Sequence, residues 1–185
     1  MTTPLIALSC SVAALASAIA AWTDHRTGRI PNWLTLSTAV LGLLIHGAMG
    51  GVRSLLVSAL GLMIGAAVPA ILYKVSAGRG IGGGDVKLFA ALGALLGPSL
   101  SIEVQFGSFV LLAVFALIRL TFRGALWRVL LNSACLLVNP FIPPKCRRKV
   151  EPETLTEMRM GPAIACSVIS TLVLEHLSRV LPWFS

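Results

Sequence analysis

The chain has two aspartates, Asp24 and Asp85, and no others. Both stand at the edge of a long apolar run. A carboxyl at membrane depth is costly to keep and marks a functional position by default. Two carboxyls sharing a low-dielectric site cannot easily both ionise, so one keeps its proton while the other is charged. The charged one can take a proton from water. The protonated one can donate to a peptide carbonyl. This is general acid–base hydrolysis without a covalent intermediate. Such a pair titrates as a unit, so neither member takes a fixed role. Taken singly, each has a plainer reading: Asp85 as a helix N-cap, Asp24 as an interfacial residue ending a helix. Gly82-Gly83-Gly84, directly before Asp85, weighs against the plain readings, because a run without side chains lets a backbone approach closely.

The elements that must position these carboxyls are membrane helices. Of the 185 residues, 56% are hydrophobic and 12% charged, where a soluble domain carries about twice that share of charge. The mean hydropathy is +0.88. Six apolar runs are predicted to span: Pro4 to Trp22, Trp33 to Met49, Ser54 to Tyr73 with Pro69 as a kink, Val86 to Leu100, Ile102 to Ile118, and Gly161 to Leu181. A spanning helix needs about 20 apolar residues, and the fourth run is the shortest for the task. No Lys or Arg precedes the first run, whereas a cleaved signal peptide wants positive charge there. A retained helix is expected.

Orientation follows from the basic residues. Of the fifteen Lys and Arg residues, all but Arg53 and Arg179 fall on one side of a six-span arrangement. That side is the cytoplasm, so both termini are expected outside it. Asp24 closes the first span at the cytoplasmic face. Spans two and three carry the chain out and back, which returns Asp85 to that face. The whole chain, 1–185, is expected to form one membrane-embedded all-α domain. Within it, 121–160 is a basic cytoplasmic segment. Its first part suits an interfacial helix, and its cluster Lys145–Lys149 suits either anionic lipid heads or a solvated loop.

Other signals exclude more than they add. The charge of +8 follows from the positive-inside rule and does not call for nucleic acid. Cys10, Cys135, Cys146 and Cys166 form neither a CxxC pair nor a zinc-like spacing with the histidines, so no metal or cofactor is expected. Gly78, Gly80 and Gly83 fit a dinucleotide-binding spacing. That motif needs a preceding strand, and a membrane helix precedes it here.

Two stretches carry a resemblance: Asp24-His25-Arg26-Thr27-Gly28-Arg29-Ile30-Pro31-Asn32, and Gly82-Gly83-Gly84-Asp85-Val86-Lys87. Together, in this order and two spans apart, they resemble the prepilin peptidase family, intramembrane aspartyl peptidases with a Gly-x-Gly-Asp motif. Gly161-Pro162-Ala163 looks like that family's closing helix. The resemblance implies Asp24 and Asp85 as the catalytic pair, with Gly82 and Gly84 shaping the second motif. Lys87 and Asn32 match motif positions without an assigned chemical step. It implies a prepilin or pseudopilin substrate, with a basic leader and an apolar helix, cut at the cytoplasmic face of a prokaryotic inner membrane. The absence of CxxC motifs and of a domain before the first span resembles the short form that does not methylate, seen with tight-adherence pili or archaeal pilin and flagellin systems. Two other readings stand beside it: an ion-coupled transporter using the two aspartates, and a non-catalytic pilus or secretion assembly subunit.

Overall fold

In the computed structural model, residues 3–75, 81–122 and 160–180 are described. The segment 123–159, including the cluster Lys145–Lys149, lies outside them, as do Gly78 and Gly80. Among the described residues four helices form: α1 (Thr3–Thr27), α2 (Asn32–Val75), α3 (Gly83–Phe122) and α4 (Gly161–Val180). Among the described residues there is no strand. The stretches Leu5–Thr27, Asn32–Val75 and Gly83–Ile118 are long and apolar enough to cross a membrane, and Gly161–Leu177 is a shorter apolar helix. The chain divides into two compact units, Met1–Leu111 with Arg159–Ser185, and Leu112–Met158. In the second, the described residues 112–122 are the closing turns of α3. The first holds everything below.

Two helices are each interrupted at a glycine. Gly51 in α2 has φ 68° and ψ −169°, and Gly97 in α3 has φ 77° and ψ 179°. This corner of dihedral space is open essentially to glycine alone. Packing shows that both helices fold back there. A Cβ built on Gly42 would lie 2.9 Å from the Ala94 carbonyl carbon, and Ser58 Oγ donates to the Ala94 oxygen at 2.6 Å. In an unbroken helix, positions 42 and 58 would be about 24 Å apart. The Phe89 and Phe109 ring centroids lie 6.0 Å apart, where an unbroken α3 would separate them by about 30 Å. The first reversal lies between Met49 and Ser54, where the apolar runs place it. The second comes at Gly97-Pro98, a little before the expected gap at Ser101. There a residue with no N–H follows one that tolerates positive φ, and the helix yields at that pair.

The interior is polar in small pieces. Ser17, Ser58, Ser108 and Ser167 are fully buried, while Leu15, Leu44, Met63, Phe106 and Leu174 face outward. This suits a lipid solvent, where small residues and hydrogen bonds hold helices together. The polar residues have particular work. Pro98 supplies no N–H to the Ala94 carbonyl four residues before it, and Ser58 supplies the donor. The break also leaves the Leu95 carbonyl without a helical partner, and His46 Nε2 reaches it at 3.0 Å. A carbonyl only accepts, so that nitrogen carries the hydrogen, and Nδ1 accepts from Ser54 Oγ at 2.9 Å. Pro69 does not interrupt the helical dihedrals of α2, whose one non-helical residue is Gly51. The Gly65 carbonyl that Pro69 leaves unserved is met by Gln105 Nε2 at 3.2 Å. The bonds from Ser58, His46 Nε2 and Gln105 each tie one hairpin to the other.

Ser58→Ala removes the donor to a buried carbonyl and should destabilise the protein by about 1 kcal/mol or slightly more. The thermal midpoint of the detergent-solubilised protein should fall by a few degrees. An unchanged midpoint would mean that the Ala94 carbonyl finds another partner.

Candidate active site

Helix α1 runs a turn further than the apolar run alone, so Asp24 lies in its last turn and not beyond it. Gly28, with φ 65°, ends the helix, and its N–H reaches the Asp24 carbonyl oxygen at 2.9 Å, which is the left-handed C-cap arrangement. The chain then passes through Ile30 and Pro31 and enters α2 at Asn32. Helix α3 likewise starts earlier than its apolar run. Asp85 is its third residue and sits inside the first turn. Its Oδ2 accepts from the Gly82 N–H at 3.1 Å, and Gly82 oxygen accepts from the Asp85 and Val86 amides. That is the reach-back half of a capping box. Asp85 is therefore not the N-cap itself: Gly82 holds that position, and Asp85 caps it from three residues inside the helix.

Both carboxyls are buried, Asp24 at 6% exposure and Asp85 at 8%. Asp24 Oδ2 accepts from the Gly161 N–H at 3.0 Å. Gly161 opens α4, where amides lack helical partners and carry partial positive charge. So each aspartate holds a backbone amide at the start of a helix: Asp85 its own, Asp24 one from the far end of the chain. Among the described residues, neither Oδ1 has a hydrogen-bond partner.

Two close approaches bring these pieces together. A Cβ on Gly161 would lie 2.7 Å from both Cβ and Oδ2 of Asp24, so α4 can start against Asp24 only with glycine there. A Cβ on Gly84 would lie 3.1 Å from Ile30 Cβ. The residue before Asp85 is thus seated on the turn that follows Asp24. Gly82 thus holds Asp85, and Gly84 places it beside the turn that follows Asp24.

Asn32 and Lys87 also meet. Lys87 Nζ donates to Asn32 Oδ1 at 2.8 Å, tying the start of α2 to the start of α3. Arg26 lies over the Trp22 ring, 4.5 Å from its centroid, and Trp22 is exposed. Among the described residues, no group of three or more His, Cys, Asp and Glu gathers to hold a metal. The residue that sequence reasoning missed is Gly161 as a hydrogen-bond donor. The signal was present, since a glycine opening a helix presents an unpaired amide, but nothing in the sequence says which carboxyl it meets.

Helical hairpins, with one buried aspartate in the last turn of α1 and another in the first turn of α3, make an all-helical, membrane-type scaffold. Residues 11–117 match the type IV leader peptidase family, and the chain belongs to that family, which makes it a peptidase. No curated protein and no solved structure matches the chain.

Gly161→Ala should displace Asp24 or the start of α4. Peptidase turnover should fall at least tenfold, with helical content by circular dichroism unchanged. Full activity in this variant would show that the Asp24–Gly161 contact does not position the carboxyl.

Proposed function

We propose that this peptidase is a multi-pass aspartyl endopeptidase of the prokaryotic cytoplasmic membrane. It removes the basic leader from prepilins or pseudopilins at the cytoplasmic face and so serves a tight-adherence-like pilus or a related secretion system. The observation that carries the reading is the burial of two aspartates, each fixed through one oxygen by a helix-start amide, with the residue before Asp85 seated on the turn that follows Asp24. Family membership supplies the reaction class. The two reversals, at Gly51 and Gly97, support six spans with both termini outside the cytoplasm.

In this mechanism, the amides of Gly82 and Gly161 orient the carboxyls and leave the second oxygen of each to the reaction. One carboxyl, ionised, takes a proton from a water lying between them. The other, protonated, donates to the scissile carbonyl oxygen, so that water adds to the carbonyl carbon. Collapse of the tetrahedral intermediate expels the amine, which takes up a proton, and the dyad returns to one shared proton. Gly82 and Gly84 keep the backbone before Asp85 free of side chains, where an extended substrate strand can lie against it. Lys87 and Asn32 hold the two motif loops at a fixed spacing.

Co-expression with a prepilin precursor tests this. The wild-type protein should shorten the precursor on a gel. Asp24→Asn and Asp85→Asn should each reduce processing by at least a thousandfold while the protein remains in the membrane. Full processing by either variant would sink the dyad. Reporter fusions test the topology independently: a periplasm-active reporter should work at both termini, and a cytoplasm-active reporter within 76–80.

A further inference from the structure

Beside the aspartates, a groove runs between the first half of α2 and the start of α3. Its lining comes from Asn32, Thr35, Leu36 and Ala39 on one side, and Lys87 and Ala90 on the other. These are positions i, i+3, i+4 and i+7 of one helix and i, i+3 of the next, so the groove follows the helix axes. It has a volume of about 400 Å³. Its composition is graded along its length. The Asn32 amide and the Lys87 ammonium stand at the end where both helices begin, and Leu36, Ala39 and Ala90 lie beyond them.

Lys87 is exposed, and its one hydrogen bond among the described residues goes to the neutral oxygen of Asn32. An ammonium has three N–H donors, so two remain, along with the whole positive charge. Among the described residues, no carboxylate pairs with it. Trp33, at 66% exposure, stands next to Asn32, and exposed Trp22 stands at the end of α1. Tryptophans of this kind collect at the headgroup level of a bilayer. A cation at headgroup level with an apolar trough leading away from it is the complement of an anionic phospholipid, and basic pockets between membrane helices bind such head groups.

We propose that this groove is a binding site for one anionic phospholipid, its phosphate on Lys87 and the Asn32 amide and one acyl chain along Leu36, Ala39 and Ala90. The inference rests on the membrane placement given above, and not on the proteolytic reaction. A lipid seated here bridges the helix starts that carry the two motif loops, so it also steadies the tie between Asn32 and Lys87.

Native mass spectrometry of the full chain in detergent tests it, with phosphatidylglycerol, phosphatidylcholine or inorganic phosphate titrated separately. Phosphatidylglycerol should bind saturably to the wild type, and the other two should not. Lys87→Gln should weaken that binding roughly fivefold, the worth of one interfacial cation. Lys87→Arg should keep it. Ala39→Trp, which fills the trough and leaves the charge, should lose it. Equal phosphatidylglycerol binding in the wild type and Lys87→Gln would overturn the proposal. So would phosphatidylcholine binding as well as phosphatidylglycerol, inorganic phosphate competing as well as the lipid, or a precursor peptide with an acidic residue binding through Lys87 where no lipid does. Because binding is what is measured, a protein that fails to cut prepilin still shows whether the groove takes lipid.

Discussion

A polar backbone group inside a membrane protein must find its partner within the protein, because lipid offers none. The architecture here follows from that requirement applied at helix interruptions. A continuous helix satisfies itself. This chain breaks its helices at Gly51 and Gly97 and carries Pro69 and Pro98 within them, and prolines and reversals leave carbonyls without donors. Ser58, His46 and Gln105 serve those carbonyls from neighbouring segments. Packing specificity in the interior thus comes less from large side chains than from which orphan meets which donor.

The same requirement governs the other end of the helices, with the sign reversed. Helix starts leave N–H groups unpaired. Gly82 and Gly161 are two such groups, and the acceptors they find are Asp85 and Asp24. The capping and the functional readings of these aspartates are therefore not rivals. An amide at a positive helix start is a good holder for a carboxylate, and holding through one oxygen leaves the other outside the cap, as the proposed reaction requires. The interaction that stabilises the fold also aims the residue.

Much of this was legible in the sequence for identifiable reasons. The reversal at Gly51 lies in a short gap between two apolar runs, and the runs place it correctly. Hydropathy puts the reversal at Gly97 a few residues late, since Gly97 and Pro98 sit inside an unbroken apolar stretch and hydropathy does not register dihedral strain. Apolar residues alone draw the helix limits around Asp24 and Asp85 too tightly. The helices run on, because Gly28 and Gly82, as caps, set their ends. Lys87 and Asn32 stand out in the sequence only as motif positions, and their contact joins the starts of two helices far apart in the chain. Ser58, His46 and Gln105 carry no functional signal, because the carbonyls they serve are backbone atoms and leave no mark in a residue pattern. The Gly161 amide is hidden for the same reason.

The bond from Gly161 to Asp24 links residues 137 positions apart. A ribosome that has made the first three helices has already made both aspartates, but not the amide that holds one of them. Until α4 has been made, Asp24 lacks the amide that holds it. The order of synthesis therefore puts this bond last: the nascent chain carries both aspartates well before the backbone donor that fixes Asp24, and the last described helix supplies it.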